Sequence, residues 1–103
     1  MFPLDEIFIP TEVKFAFKIE ADGFSMDDDD FNVVVKGSTG SVTLEKDDCF
    51  DDGEGHWYFA FDSSDVGPGQ PVATVTAYVP DTDYPDGLRT EAYKMKLPVY
   101  IRI

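Results

Sequence analysis

The chain has 103 residues and a mass of 11.5 kDa, which is the size of one domain. Its 8 basic and 21 acidic residues give a formal net charge of -13, and such a surface repels nucleic-acid phosphate and anionic lipid. The single cysteine and single histidine exclude an intrachain disulfide, a cysteine-based zinc site and a histidine cluster, and they argue against a Ser-His-Asp enzyme. We therefore expect no catalytic residues and no nucleic-acid partner.

The first ten residues are apolar but contain Asp5, Glu6 and two prolines. A secretory signal needs a basic start and an uninterrupted apolar run, and this segment has neither. No run of 18 apolar residues is present, so we expect no membrane insertion. Residues 1–103 are predicted to form one domain in which residues 1–10 are an N-terminal extension, and whether a leader was removed is left open.

Apolar residues that recur at every second position predict β-strands along most of the chain. Residues 12–20 alternate Val, Phe, Phe and Ile with lysine and alanine, and the Asp-Gly pair at 22–23 predicts a turn after them. Residues 31–36 and 41–46 are two further strands, and the Gly-Ser-Thr-Gly turn at 37–40 between them predicts a hairpin.

The densest aromatic segment, residues 56–62 (HWYFAFD), predicts a strand with a strongly apolar face. Without a disulfide, an aromatic layer has to hold the sheets together. We expect four aromatic side chains at the centre of that layer: Trp57, Phe59, Phe15 and Phe17.

The second half of the chain continues the same pattern. Asp62 and Ser63 are able to cap a single helical turn over residues 63–66. Residues 71–79 are rich in Val and Thr with apolar residues on both faces, which predicts a central strand, and residues 80–88 form a long turn. Residues 91–103 are the longest alternating stretch, and Pro98 predicts an edge position or a bulge there because proline cannot donate to a ladder.

These elements together favour an all-β fold. About seven strands separated by turn signals are typical of an antiparallel two-sheet sandwich, and we expect it to be immunoglobulin-like. A parallel sheet would need crossover helices, and no window of the sequence has a helical period.

Charge is unevenly distributed along the chain. Residues 27–30 are four consecutive aspartates, and residues 47–55 contain five more acids. The C-terminal part carries a cationic stripe opposed by Glu91 alone: Arg89, Lys94, Lys96 and Arg102. We expect this stripe to attract the acidic loops.

Two acidic segments are candidate calcium sites, because calcium prefers oxygen ligands. The carboxylates of residues 27–30 point to alternate sides of an extended segment, so a solvated acidic loop explains them as well. A second group resembles a calcium loop more closely: Asp81, Asp83 and Asp86, followed by Gly87. Its register departs from the EF-hand pattern at the fifth position, Pro85, so a capped turn before a strand remains the alternative.

Aromatic side chains on the outside of a sheet stack on sugar rings or anchor protein interfaces. Three tyrosines are predicted to be exposed in this way and are the binding candidates: Tyr58, Tyr84 and Tyr100. Cys49 is flanked by Asp48, which raises a thiol pKa and blunts its nucleophilicity, and His56 is interpreted as a surface residue at a strand end.

Four short motifs carry a family resemblance: Asp30-Phe31, Asp48-Cys49, the Val-Gly-Pro-Gly turn at 66–69, and residues 80–87 followed by Arg89. They resemble the immunoglobulin-like sandwich modules encoded in phages and prophages of gut bacteria, similar to N-terminal domains of upper baseplate proteins. The resemblance implies a tail-associated structural module without catalysis, virion-associated or cytoplasmic before assembly.

Two functions follow from the sequence as hypotheses. The first is a non-catalytic structural, assembly or attachment module of phage or prophage origin that engages protein partners or itself through an edge strand. The alternative is a cell-surface carbohydrate- or calcium-dependent binding module, in which calcium would be the cofactor.

Overall fold

The structure is a computed structural model that describes residues 5–54 and 56–103. The described residues form nine strands: β1 (Asp5–Phe8), β2 (Glu12–Phe17), β3 (Phe31–Lys36), β4 (Ser41–Glu45), β5 (Phe50–Asp51), β6 (Trp57–Asp62), β7 (Val72–Pro80), β8 (Leu88–Lys96) and β9 (Val99–Arg102). Two short 3-10 helices lie at Lys46–Asp48 and Ser63–Asp65. The predicted all-β class is confirmed, although the described chain has nine strands and not about seven.

Two antiparallel sheets form the body of the molecule. One has four strands in the order β4-β3-β7-β8, and the other has three in the order β2-β6-β5. A third pairing joins β1 to β9 in parallel. Because β1 and β9 lie near the two ends of the described chain, the intervening domain itself is the connection, and no crossover helix is needed. Four of the ten residues of the predicted N-terminal extension therefore form a paired strand, and residues 1–4 lie outside the described residues.

The predicted hairpin over residues 31–46 is present as β3 and β4. Lys36 pairs with Ser41, and the N–H of Gly37 donates to the carbonyl oxygen of Gly40 at 2.9 Å. A Cβ atom at Gly37 would lie 2.2 Å from the carbonyl oxygen of Val66, so the segment after β6 packs directly on this turn. Glycine is required at position 37 because the two backbones approach so closely.

The core is an aromatic layer between the two sheets. Phe31 of β3 is completely buried. Its ring centroid lies 5.3 Å from that of Trp57 of β6 and 5.6 Å from that of Phe17 of β2, and both contacts are edge-on. Phe59 is also buried and lies 5.5 Å from Phe17. The prediction is confirmed for Trp57, Phe59 and Phe17. Phe15 is only partly buried and packs against this layer, since β2 is an edge strand.

Two of the predicted strands differ from the observed ones by three residues or more at an end, and the second of them begins at Leu88 and not at residue 91. β2 ends at Phe17, three residues before the predicted end. The predicted strand over residues 91–103 is divided: β8 ends at Lys96 and β9 begins at Val99. Pro98 is the physical reason for the division, because it has no N–H to donate to a ladder.

Two smaller expectations are confirmed. β7 is a central strand between β3 and β8. The turn after β6 is a 3-10 helix, and the side chain of Asp62 caps it by accepting a hydrogen bond from the N–H of Ser64 at 2.9 Å.

We expect Phe31→Ala to lower the free energy of unfolding by about 3–5 kcal/mol, because it removes a completely buried ring and leaves a cavity. Phe50→Ala is the matched control, since Phe50 is 53% exposed, and we expect a loss of about 1 kcal/mol or less. Urea denaturation followed by tryptophan fluorescence measures both. Equal losses for the two variants would contradict the described core.

Candidate functional site: the free edges of the four-stranded sheet

The turn that precedes β8 shows which of its residues form backbone hydrogen bonds with β7 and which direct their backbone groups to the free side. The N–H of Asp81 donates to the carbonyl oxygen of Gly87 at 2.9 Å, and the next pair in the ladder is Pro80 with Leu88. In an antiparallel ladder, hydrogen-bonded and non-hydrogen-bonded pairs alternate, so Leu88 belongs to a non-hydrogen-bonded pair. Proline fits this position because it has no N–H. The backbone groups of the even-numbered residues of β8 therefore point away from β7.

β8 is the longest edge strand of the two sheets, at nine residues. Five of its residues direct their N–H and C=O groups to the free side, and all five are exposed: Leu88, Thr90, Ala92, Lys94 and Lys96. In the part of the chain that the structure describes, no strand pairs with this edge. β8 thus presents a row of unpaired donors and acceptors.

The inner face of β8 continues the core beyond the reach of the opposite sheet. Tyr93 is paired with Val75 and Met95 with Ala73, yet Tyr93 and Met95 are each 40% exposed. A groove of about 200 Å³ lies beside them, and its apolar lining residues are Phe17, Ile19, Val75, Tyr93 and Met95. The same strand, β8, therefore has both unpaired backbone groups along its free edge and exposed apolar side chains on its inner face.

Arg89 holds the start of β8 against the turn. Its Nη1 donates to Asp81 Oδ2 at 2.6 Å, its Nη2 lies 3.4 Å from the carbonyl oxygen of Asp22, and its Nε lies 3.4 Å from Glu91 Oε1. The pKa of Asp81 is lowered, first by the N–H of Asp83 and then by Arg89. These contacts tie the start of β8 to the turn that precedes it and to the loop at Asp22.

Beside Arg89, the hydroxyl of Tyr93 donates to Glu91 Oε2 at 2.8 Å, and this hydrogen bond raises the pKa of Tyr93. The bond ties two inner-face side chains of β8 together.

The other edge of the same sheet is β4. Because Gly37 and Gly40 are hydrogen-bonded, the next pair, Lys36 with Ser41, is of the non-hydrogen-bonded kind. The backbone groups of Ser41, Thr43 and Glu45 therefore point away from β3, and these residues are exposed. The N–H of Glu45 is already satisfied by Asp48 Oδ2 at 3.0 Å.

The outer face of the four-stranded sheet carries three lysines that form no ion pair among the described residues. Lys36, Val72 and Lys96 form one row across three strands, and Lys94 lies in the next row. Within the described ranges, none of the ion pairs includes Lys36, Lys94 or Lys96. The acidic loops at residues 27–30 and 81–86 adjoin the opposite ends of these strands. The expected contact of the stripe with the acidic loops therefore occurs at Arg89, and not at the lysines.

The predicted binding tyrosines lie on three different elements. Tyr58 is on β6 and is partly buried, contrary to its predicted exposure, and the Lys14 ammonium lies 5.0 Å from its ring centroid. Tyr84 is 46% exposed in the turn before β8. Tyr100 is 40% exposed on β9, beneath the guanidinium of Arg102. The fold does not bring these three residues together on one strand or one turn.

The predicted calcium loop is held by hydrogen bonds of its own. Asp81 accepts from the N–H of Asp83 at 3.0 Å, and Asp86 accepts from the N–H of Leu88 at 3.1 Å. The cation that contacts this loop is Arg89. Calcium binding by Asp81, Asp83 and Asp86 stays a prediction.

The sequence analysis does not identify one cluster of possible metal ligands. Asp52, Glu54 and His56 have ligand atoms within 4.8 Å of one another, and all three residues are exposed. Asp52 Oδ2 lies 2.9 Å from His56 Nδ1, and Asp52 Oδ1 accepts from the N–H groups of Glu54 and His56. The N–H of Glu54 is the largest cause of the lowered pKa of Asp52. The signal in the sequence is the presence of these three residues at every second position. The carboxylate of Asp52 mainly accepts hydrogen bonds from the backbone of the same segment.

Cys49 is not arranged for chemistry. Burial, with a smaller contribution from Asp48, raises the pKa of its thiol to about 11. The thiolate is the nucleophilic form, and it is scarce at neutral pH when the pKa is that high.

Comparison with protein-family models, with curated proteins and with solved structures gives no match. Across the described residues, no helix has the length and apolar character needed to cross a membrane. The geometry of the edges is therefore the basis on which a function is inferred.

We expect Asp81→Asn to flatten the acid side of the pH–stability profile. The pKa of Asp81 in the folded state is below its ordinary 3.8, so its stabilising effect is complete above that value and is lost as the pH falls through the folded pKa. Urea denaturation at a series of pH values from neutral to acid measures the effect. Asp83→Asn is the control, because it removes one carboxylate from the same turn and keeps the N–H that Asp81 accepts. Parallel profiles for Asp81→Asn and wild type would contradict the role of this contact.

Proposed function

We propose that this protein is a non-catalytic assembly or attachment module that binds a protein partner, or another copy of itself, by extending its four-stranded sheet at β8. The single observation that carries the proposal is that a nine-residue edge strand, five of whose residues have outward-facing unpaired backbone groups, also has an apolar groove on its inner face. A strand added at this edge would satisfy both.

Strand addition explains why both features are needed. Main-chain hydrogen bonds supply much of the affinity, and pockets for alternate side chains supply the selectivity. Natural edge strands are commonly protected by prolines, bulges or short length. β8 has neither proline nor short length, and its protection consists of Lys94 and Lys96 on the outer face. Those lysines discourage indiscriminate pairing while leaving the edge available to a partner of suitable charge.

We also propose that the two sheets form an immunoglobulin-like sandwich and that the module is of phage or prophage origin, as the resemblance of the short motifs implies. A four-stranded sheet on a three-stranded sheet supports it, because constant-type immunoglobulin domains divide seven strands in that way. The strand neighbours differ. Among β2 to β8, the second strand lies beside the sixth here, whereas in the immunoglobulin arrangement the second lies beside the fifth.

A non-catalytic role is supported by what the titratable groups do. The cluster of Asp52, Glu54 and His56 is exposed on a turn, and the thiol of Cys49 has a raised pKa. Catalytic groups typically lie in a cleft that excludes water, where their pKa values are matched to the reaction.

The alternative, a carbohydrate- or calcium-dependent binding module, draws its support from the exposure of Tyr84 and Tyr100. A melting experiment separates the two functions, because a ligand that binds only the folded state at 100 times its Kd adds about 2.7 kcal/mol of stability. A calcium-dependent rise in Tm would favour the alternative, and an unchanged Tm accords with assembly through β8.

We expect the wild-type protein to associate as its concentration rises, and we expect Ala92→Pro to suppress that association. The N–H of Ala92 points to the free side of β8, so proline removes an outward donor without removing a bond to β7. Light scattering coupled to size exclusion, from micromolar to millimolar protein, measures the change.

Ala92→Val is the matched control, because it keeps the N–H and suits a strand. Thermal unfolding of both variants establishes that each is folded. The proposed function would be overturned if the wild-type mass stays monomeric throughout and pull-downs recover no protein whose binding is lost in Ala92→Pro. Association that Ala92→Pro leaves intact would place the interface elsewhere.

A further inference from the structure

We infer that the strand that pairs with β8 is β4 of a second copy of this chain. The inference rests on the proposed function, since it names the partner of the same edge. β4 and β8 are the two free edges of one sheet, and their directions, backbone phases, apolar side chains and charges are complementary.

Direction is the first requirement, and the strand order satisfies it. Neighbours in the order β4-β3-β7-β8 are all antiparallel, so β4 and β8 run in opposite directions. A second copy shifted sideways within the plane of the sheet brings its β4 beside β8 in antiparallel orientation. The result is a continuous sheet with both three-stranded sheets on the same side.

Backbone phase is the second requirement. Lys94 and Lys96 direct their N–H and C=O groups outward on β8, and Thr43 and Ser41 do so on β4. Pairing Lys94 with Thr43 and Lys96 with Ser41 of the second copy makes both pairs hydrogen-bonded, and each such pair exchanges two bonds. The N–H of Ala92 is then opposite the carbonyl group of Glu45, whose own N–H is already satisfied by Asp48.

The same register matches the apolar side chains on the inner face. Tyr93 comes opposite Leu44 of the second copy, and Met95 comes opposite Val42. Tyr93 and Met95 are each 40% exposed in one copy, and Val42 and Leu44 are partly buried residues at the margin of the core. Their contact covers the open end of the groove beside β8.

Charge is complementary on the outer face. Lys94 and Lys96 are the charged outer-face residues of β8, and Glu45 is the charged outer-face residue of β4. Glu45 of the second copy lies diagonal to Lys94 at about 7–8 Å between backbones, which is within reach of long side chains. Asp47 and Asp48 follow directly, so β4 ends in an acidic segment.

Pairing of β8 with β8 of a second copy is the competing arrangement. A two-fold axis at Ala92 places Lys96 opposite Leu88 and Lys94 opposite Thr90, so no acid meets either lysine. Such an arrangement leaves the charge of -13 on each copy without local compensation. Pairing with β4 is therefore favoured.

The two arrangements give different assemblies. Contact between β8 and β4 uses two different surfaces, so each copy keeps one free edge and growth continues beyond a dimer. A β8–β8 contact uses the same surface twice and stops at the dimer. Light scattering should therefore show a mass that rises past twice 11.5 kDa.

Disulfide trapping tests the register directly. Met95→Cys and Val42→Cys are made as separate variants in a Cys49→Ala background, so that all the charges are retained. Mixing the two under oxidising conditions should give a disulfide-linked dimer, because a non-hydrogen-bonded antiparallel pair has Cα atoms about 4.5 Å apart and a disulfide accepts that separation. Neither variant alone should give this product.

Ala92→Cys in the same background reports on the competitor. Rapid self-linking of Ala92→Cys, with no product from the mixed pair, would overturn the inference while leaving the proposed function of β8 in place. A wild-type mass that never rises above the monomer would overturn the second-copy inference, and the pull-down on β8 then decides whether the proposed function stands with a different partner.

Charge reversal supplies the second arm. Lys94→Glu with Lys96→Glu should weaken association about fivefold, since the cross-strand pair of Lys94 with Glu45 contributes up to about 1 kcal/mol and the reversed charge repels Glu45. Lys36→Glu is the matched control on the same face of central strand β3, and it should change association less than about twofold.

An equimolar mixture of the doubly reversed variant with Glu45→Lys should restore association, because the altered β8 edge then meets an altered β4 edge of opposite charge. Thermal unfolding confirms that each variant is folded. Equal effects of Lys36→Glu and the double reversal, or failure of the mixture to recover, would contradict the role of Glu45.

Discussion

Edge-on contact of aromatic rings between the two sheets is the interaction on which the rest of the structure depends. Phe31 of β3 meets Trp57 of β6 and Phe17 of β2, so three strands from two sheets are held by one buried ring. In a strand, the direction of the side chain and the direction of the backbone hydrogen bonds both alternate with a period of two residues. Burying one set of side chains therefore also decides which backbone groups remain unpaired at the edges, and this links the core to the proposed interface.

Part of the acidic composition follows from how the strands end. Asp52, Asp62 and Asp81 each accept a hydrogen bond from a backbone N–H two residues later, and in each case that bond is the largest cause of the lowered pKa. Aspartate favours turns for this reason. Part of the negative charge thus follows from turn chemistry at the ends of the sandwich, whereas the outer face of the four-stranded sheet carries Lys36, Lys94 and Lys96 together with Glu45.

Several sequence interpretations concern single residues whose meaning depends on where the strands lie. Tyr58, Tyr84 and Tyr100 all follow patterns typical of exposed aromatics, but they belong to β6, to a turn and to β9. His56 looked isolated along the chain and lies beside Asp52 in space. Chain position indicates whether a side chain faces outward, but it does not indicate which other outward side chains are near it.

Alternation by itself determined the class of fold, the hairpin of β3 and β4, the central strand β7, and a core containing Trp57, Phe59 and Phe17. These are local properties, because a period of two residues is visible within six or seven positions. Only the tertiary structure decided that β4 and β8 are the two edges of one sheet, that Phe15 lies at the margin of the core, and that β1 pairs with β9. Each of these depends on pairing between segments far apart in the chain, and an alternating strand is equally able to pair on either side until the whole sheet has formed.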